Sequence, residues 1–301
     1  MKVKAIFQGA NGFRVVWRLL IFLVVFTGCE AAIQTAVNHF APSLLALEMA
    51  LRQGALSPQG LLISEIVNLV SLAIGLAVMA RIERRTFADY GLRRAGGSVR
   101  RLCEGVAWGL AMVTAIVLLQ RAENVFDFGT LALSGSEASK MGLLWGAATL
   151  LVGFFEEIFF RGYIQYTLAS GMGFWRAAAV SSLIFGASHI AADSFYNWQG
   201  LISATLAGLL FCMILRRTGS LWMAIGFHSA IDFAETFVFS PPTSKLQTAS
   251  HLLNCSQHGS VWLTGGSVGP EASLNGLILF AVVFTLFSRF RFRAAPTNEP
   301  I

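Results

Sequence analysis

Two adjacent glutamates lie in the middle of an apolar stretch that runs from Met141 to Ala169. They are Glu156 and Glu157, and Arg161 follows the second of them at the i+4 position. An ionised side chain at the centre of a bilayer costs about 2.5–3.5 kcal/mol or more, so such residues persist mainly where they pair, carry protons or line a water-filled cavity. The motif therefore marks a candidate functional site.

Helix geometry separates the two glutamates. Side chains three or four residues apart share a helix face, so we expect Glu157 to pair with Arg161 while Glu156 points about 100° away. Arg161 would then hold Glu157 ionised and leave Glu156 free to act as a general base. A purely structural ion pair between two helices is the alternative explanation.

Two later apolar stretches carry polar pairs with the same spacing. Phe185 precedes His189 by four residues, and His228 precedes Asp232 by four. A lone histidine on an apolar helix is more often a hydrogen-bonded core residue, whereas His228 with Asp232 can bind a metal, orient an imidazole or stabilise an oxyanion. Three such sets in neighbouring segments indicate one shared site inside a membrane.

The composition is that of an integral membrane protein. Of the 301 residues 55% are hydrophobic and 13% charged, against about 25% charged in a soluble domain, and the mean hydropathy is +0.65. The sequence predicts an all-α, polytopic membrane helical bundle of about eight transmembrane helices, near residues 15–37, 61–80, 103–120, 142–168, 174–191, 199–215, 220–239 and 272–288.

The distribution of the positive charges along the chain, whose net charge is +6, indicates the membrane topology. With these spans, 17 of the 22 Lys and Arg residues fall on one side of the membrane, 4 on the other and Arg161 within a span. The positive-inside rule then places both termini in the cytoplasm and makes the first span an uncleaved helix rather than a signal peptide. Membrane lipid is the expected partner of the basic residues, and nucleic acid is not expected.

The chain divides by content into three regions of one bundle. Residues 1–140 form a three-span region with an Arg-rich cytoplasmic loop, 141–240 the catalytic core, and 241–301 an external loop, the last span and a basic tail. Asp89-Tyr90-Gly91-Leu92 is expected to be a solvated connector in that Arg-rich loop. Gly105 and Gly109, spaced four apart, predict a close helix contact.

The three motifs in this order and with these gaps resemble the CAAX prenyl endopeptidase and bacteriocin-processing family, CPBP, over roughly residues 140–240. The resemblance implies an Abi-like intramembrane endopeptidase of about eight helices, in the inner membrane of a bacterium. It implies that Glu156 and His189 activate the attacking water and that His228 helps to stabilise the oxyanion, with Asp232 beside it. An ionised Asp232 cannot donate a hydrogen bond, so we expect it to orient His228.

The sequence is compatible with more than one cofactor, substrate and activity. Zinc or another divalent metal, which the family label metalloprotease implies, would be held by Glu156, His189 and His228, although a metal-free glutamate-activated water would use the same residues. The expected substrate is a membrane-associated peptide or protein. A non-enzymatic scaffold or immunity protein of the same fold and a proton-coupled transporter are the alternatives.

Overall fold

Eight helical segments make up almost all of the fold in the computed structural model, which describes residues 8–9, 12–44, 55–92, 97–190, 198–241, 247–248 and 250–290. They are α1 Val15–Phe40, α2 Pro58–Glu83, α3 Ser98–Ala122, α4 Gly135–Met172, α5 Phe174–Ser188, α6 Trp198–Thr218, α7 Trp222–Phe233 and α8 Leu274–Arg289. Within α4, residues Ile158–Gln165 are π-helical, and α7 continues as a π-helical turn, Ala234–Val238. Each segment lies on one of the predicted spans, and its ends differ by a few residues.

The all-α membrane bundle predicted from the sequence is confirmed. Five helices, α1, α2, α3, α4 and α6, are long and apolar enough to cross a membrane, and α8 is a shorter apolar helix. The described strands are two-residue pairings: Gln8–Gly9 with Gly12–Phe13, Ala55–Leu56 with Gln247–Thr248, and Phe126–Asp127 with Ser256–Gln257. The second and third pairings tie the connections between helices to the segment that precedes α8.

Glycines bring α3 and α7 into backbone contact, as the Gly105 and Gly109 spacing predicts. A Cβ atom on Gly105 would overlap the backbone oxygen of Met223, and one on Gly109 would overlap that of Phe227. Gly226 of α7 makes a reciprocal close contact with α3, because a Cβ there would overlap the backbone of Leu102. This close approach places α7, with the second histidine motif, in the centre of the bundle.

The Asp89-Tyr90-Gly91-Leu92 loop is not the solvated connector that the sequence predicted. Tyr90 is 1% exposed, and its hydroxyl donates to Glu83 at 3.2 Å. The same carboxylate accepts from Arg18 and from Tyr163, each at 2.9 Å. Burial, with the neighbouring Glu83, raises the pKa of Tyr90, so its hydroxyl stays a neutral donor. The loop therefore closes one end of the bundle.

Several predicted cytoplasmic cations meet at this same end. Arg85 lies over the ring of Tyr166 and Arg216 over that of Phe174, while Arg217 donates to the backbone oxygen of Ser288. Which side of the membrane this end faces stays a prediction. Residues 1–7, 45–54, 93–96, 242–246 and 291–301, which carry both termini and the charges at Lys2, Lys4, Arg52, Arg93, Arg94, Lys245, Arg291 and Arg293, lie outside the described residues.

Candidate active site

Glu156 faces both predicted histidines, which come from two other helices. Its Oε2 atom lies 3.4 Å from Nε2 of His228 and 3.8 Å from Nε2 of His189. The Glu156 side chain is 19% exposed and that of His189 39%, whereas His228 is almost fully buried. The three groups thus converge as the spacing predicts, at the boundary between the core and an accessible space.

Glu157 turns away from this space and makes two charged hydrogen bonds. Its Oε1 accepts from Nη1 of Arg161 at 2.8 Å and from Nδ1 of His228 at 2.9 Å. The pairing with Arg161 agrees with the sequence prediction. The sequence did not predict the hydrogen bond between Glu157 and His228, because the two residues are 71 positions apart. Glu157 therefore couples the first motif to the third.

Asp232 is not the residue that orients His228, contrary to the sequence prediction. The distance from His228 Nε2 to Asp232 Oδ2 is 3.7 Å, longer than a hydrogen bond. Glu157 orients the imidazole instead, and Phe211 stacks on it with ring centroids 5.1 Å apart and planes 16° apart. Asp232 remains close enough to contribute negative charge at Nε2.

Arg161 is enclosed by aromatic rings in addition to its carboxylate partner. Its guanidinium carbon lies 4.1 Å from the ring centroid of Phe185 and 5.2 Å from that of Phe211, within the range of cation–π attraction. Gly208 leaves room for it, since a Cβ there would lie 2.9 Å from Nη2 of Arg161. Phe185, the apolar member of the second motif, thus positions the cation that holds Glu157.

His189 is fixed by the backbone of its own helix. Its Nδ1 lies 2.8 Å from the carbonyl oxygen of Phe185. A carbonyl can only accept, so Nδ1 carries the proton. In the neutral ring Nε2 then presents a lone pair, and this is the nitrogen that faces Glu156.

The two glutamates end a regular α-helical stretch. Gly135–Glu157 is α-helical and Ile158–Gln165 is π-helical, with Arg161 in its middle. π-helical insertions are rare and often lie at functional sites. Here the change in helical winding directly follows Glu157, and the apolar periodicity of the sequence did not reveal it.

A small residue one turn before Glu157 sets the distance between α4 and α7. A Cβ on Gly153 would overlap Oγ of Ser229 and lie 2.9 Å from the backbone oxygen of Ile225. Ser229 directly follows His228. The contact thus lets the two helices approach closely enough for the 2.9 Å bond between Glu157 and His228.

A cavity of about 290 Å³ opens beside these residues. His189, His228 and Asp232 reach it from α5 and α7, and α6 contributes a wall of small residues. Its further lining residues are Phe185, Gly200, Ser203, Ala204, Ala207, Phe211, Ile231, Ser267, Val268, Glu271 and Phe280. The cavity is mostly apolar, and two of its polar lining residues, His189 and His228, are those that face Glu156.

Three carboxylates near the site were not predicted from the sequence. Glu65 of α2 is 7% exposed and lies within electrostatic range of Glu156, Asp232 and His228. Glu235 and Glu271 both crowd Gly269, where a Cβ would lie 2.9 Å from Glu235 Oε2 and 2.7 Å from Glu271 Oε2, and Glu271 lines the cavity with Asp232. A lone acidic residue inside a predicted span was the available signal for Glu65 and Glu235. Glu271 lies outside the three motifs and had none.

The residues named as metal ligands give a partial match to a zinc site. Ligand atoms around a tetrahedral Zn²⁺, with bonds of about 2.0–2.1 Å, lie roughly 3.4 Å apart. The 3.4 Å between Glu156 and His228 meets this spacing, and the 3.8 Å between Glu156 and His189 exceeds it. Among the described residues no set of three His, Cys, Asp or Glu side chains could hold a metal ion. The arrangement matches a zinc site only in part, and metal dependence stays a prediction.

Comparison with known families identifies the central segment. Residues 138–234 match the family model described as "Rce1-like: Type II CAAX prenyl endopeptidase Rce1-like". This segment of the chain is similar to that family. This confirms the resemblance predicted from the motifs, and the matched residues contain all of Glu156, Glu157, Arg161, His189, His228 and Asp232.

Curated relatives extend the similarity beyond this segment. Lysostaphin resistance protein A of Staphylococcus haemolyticus (strain JCSC1435) is 26% identical over 148 residues, which cover 46% of this chain and 40% of that protein. The protein of the same name from Staphylococcus epidermidis (strain ATCC 12228 / FDA PCI 1200) is 26% identical over 200 residues, 63% of this chain and 49% of that protein. The chain therefore spans less than half the length of these relatives.

Proposed function

We propose that this protein is an intramembrane endopeptidase that hydrolyses a peptide bond of a membrane-associated peptide or protein with a water activated by Glu156 and His189. The observation that carries the proposal is the convergence of Glu156 Oε2 with two histidine Nε2 atoms, at 3.4 and 3.8 Å, beside a cavity. The Rce1-like match over the same residues supports it.

Glu156 and His189 together can hold one water molecule. Two acceptors 3.8 Å apart can each lie about 2.8 Å from a shared water oxygen. As the water oxygen bonds to the substrate carbonyl carbon, Glu156 takes one of its protons, and the carbonyl electron pair moves onto oxygen. Collapse of this tetrahedral intermediate breaks the C–N bond, and the proton passes from Glu156 to the leaving amine.

His228 suits the role of oxyanion donor because its two ring nitrogens face different partners. Nδ1–H donates to Glu157, which leaves Nε2 directed at the space beside Glu156. Glu156, Glu157 and Asp232 all lie within 3.7 Å of the ring nitrogens, and these carboxylates stabilise an imidazolium with Nε2–H available. Such a donor is worth about 3–4 kcal/mol of transition-state stabilisation.

Glu156→Gln tests this assignment, because it preserves the shape of the side chain and removes the base. The assay is turnover of a membrane peptide library by purified protein in nanodiscs, followed by mass spectrometry of the products. We expect cleavage to fall by about 10²–10⁴-fold with an unchanged yield of folded protein. Glu137→Gln, at an exposed position of α4, is the matched control and should cleave like the wild type.

Retained cleavage by the Glu156→Gln variant would overturn the assigned base. Absence of cleavage by the wild-type protein would instead favour a second candidate, a non-enzymatic membrane scaffold or immunity protein of the same fold. The name of the relatives, lysostaphin resistance protein A, is the observation behind that candidate. Under both proposals the protein resides in the inner membrane of a bacterium with both termini in the cytoplasm.

A further inference from the structure

A second, smaller pocket lies at the end of the bundle that the Tyr90 loop closes. Asp89, Tyr90 and Gly91 form one of its walls, and the π-helical part of α4 forms another. Gly162 lets the loop approach this helix, because a Cβ there would lie 2.8 Å from the backbone oxygen of Tyr90. The pocket has no lining residue in common with the cavity beside Glu156. Its volume of about 20 Å³ admits one water-sized group, which needs about 10–15 Å³.

The buried wall of this pocket carries a hydrogen-bond donor without a partner. Gln165 lines the pocket and is 1% exposed. Its Oε1 accepts from Sγ of Cys212 at 2.8 Å, whereas its Nε2 is buried without a hydrogen bond. Arg161, one turn earlier, also lines the pocket, and its Nε and Nη2 atoms are buried without a hydrogen bond. Unsatisfied buried donors are costly, so they indicate that an acceptor binds in the pocket.

Two arginines lie at the rim of the pocket, each against an aromatic ring that lines it. The guanidinium carbon of Arg85 lies 5.0 Å from the ring centroid of Tyr166, and that of Arg216 lies 5.1 Å from the ring centroid of Phe174. These distances lie within the range of cation–π attraction, which orders two long side chains beside the pocket. Both arginines are nevertheless exposed. The rim therefore presents two positive charges that an outside ligand can reach.

The first turn of α5 adds to the positive potential. Phe174, which lines the pocket, is the first residue of this helix, and the first turn has no acidic residue and no side-chain cap. A helix N-terminus carries a partial positive charge and N–H groups without a helical partner. Asp89 is the one acidic residue among the described lining residues, and its Oδ2 already accepts from the backbone N–H and the hydroxyl of Thr86, at 2.8 and 2.9 Å. Donors and positive charge thus dominate the pocket.

The position of the pocket in the bundle indicates where its anion comes from. Arg85 follows the end of α2 by two residues, Arg216 lies in the last turn of α6, and α5 begins at Phe174. The ends of membrane-spanning helices lie at the level of the lipid headgroups. Trp175, which is 48% exposed, is of the residue type enriched at that level. Lipid phosphate is therefore the anion that surrounds this pocket in a membrane.

We propose that this pocket is a binding site for the phosphate group of an anionic phospholipid. One phosphate oxygen enters the pocket and accepts from Nε2 of Gln165, and the phosphate charge lies between Arg85 and Arg216. A zwitterionic headgroup binds less tightly, because the same two arginines repel its cation. The inference goes beyond the proposed function and does not depend on peptide cleavage.

A lipid titration of the full protein in a neutral detergent tests the proposal. Phosphatidylglycerol and phosphatidylcholine with identical acyl chains are added separately, and native mass spectrometry gives the dissociation constant of the first bound lipid. One variant is Gln165→Leu, and another combines Arg85→Gln with Arg216→Gln. The matched control combines Arg100→Gln with Arg289→Gln, which removes the same charge at exposed positions outside the pocket lining. A further arm measures thermal unfolding with inorganic phosphate and no lipid.

We expect the wild-type protein to bind phosphatidylglycerol about tenfold or more tightly than phosphatidylcholine, the effect of one charge-assisted contact. The Arg85→Gln/Arg216→Gln variant should lose most of this preference, and Gln165→Leu should reduce it several-fold without a change in charge. The Arg100→Gln/Arg289→Gln control should keep it. Because the arginine substitutions lie at exposed positions, they decide the test even if Gln165→Leu does not fold.

Three results would overturn the proposal. Equal binding of the two lipids by the wild-type protein would show that no anionic headgroup is selected. An equal loss of preference in the control variant would assign it to the general positive charge of this end of the bundle. Stabilisation by inorganic phosphate that the Arg85→Gln/Arg216→Gln variant loses, together with equal binding of the two lipids, would assign the pocket to a soluble anion.

Discussion

Replacement of Glu157 by glutamine tests whether the buried ion pair is the structural centre of the site. The change keeps the side-chain volume and an amide oxygen for His228, but it removes the negative charge 2.8 Å from Arg161. Neither side chain of the pair is exposed to solvent, so water cannot screen the remaining cation. Leaving one partner of a buried pair uncompensated costs about 3–5 kcal/mol.

The aromatic rings around Arg161 place the expected loss at the lower end of this range. Phe185 at 4.1 Å and Phe211 at 5.2 Å still attract the cation after the charge is removed, each by about 0.5–2 kcal/mol. We therefore expect Glu157→Gln to lower the free energy of unfolding by about 3 kcal/mol. Reversible unfolding in mixed micelles with a rising fraction of denaturing detergent measures this loss.

A double substitution separates the charge effect from a change in shape. Glu157→Gln combined with Arg161→Met removes both charges, and replacement of a complete buried pair by apolar groups is often close to neutral. We expect the double variant to recover at least about 2 kcal/mol relative to Glu157→Gln, while Glu156→Gln changes stability little. If Glu157→Gln unfolds like Glu156→Gln, or if the second substitution adds to the loss, the reasoning is refuted.

Three further predictions concern packing, metal and topology. Gly153→Val should lower the free energy of unfolding by about 1–3 kcal/mol and should also lower cleavage, because the valine side chain would overlap Ser229 and force α4 away from α7. Unfolding and turnover assays check this, and wild-type values in both would contradict it. Cleavage should survive removal of metal by a chelator, and loss of activity that Zn²⁺ restores would show a metal enzyme instead. A cysteine introduced at the exposed Arg84 should react with an impermeant maleimide only after the cells are opened. A cysteine at Leu131, which is 63% exposed, should react in intact cells. The reverse pattern would show that the predicted topology is inverted.

The local chemistry of the chain was readable from its sequence. Apolar runs long enough to span a bilayer predicted the eight helices, since backbone groups in lipid must be satisfied within the helix. The i,i+4 spacing placed Glu157 beside Arg161 and His228 near Asp232, because helical neighbours are determined by sequence separation alone. The glycine pair in α3 predicted a close helix contact for the same reason.

Contacts between distant segments were decided only by the tertiary structure. Glu157 binds His228 across 71 residues, which replaces Asp232 as the orienting partner, and no spacing rule predicts which helices meet. Tyr90 is buried because Glu83, Arg18 and Tyr163 converge on its loop from three helices. Glu271 comes from a region outside the three motifs, and helix packing brings it to the cavity beside Asp232. The sequence determines which groups can do chemistry, whereas helix packing determines which of them share a charge, a proton or a substrate.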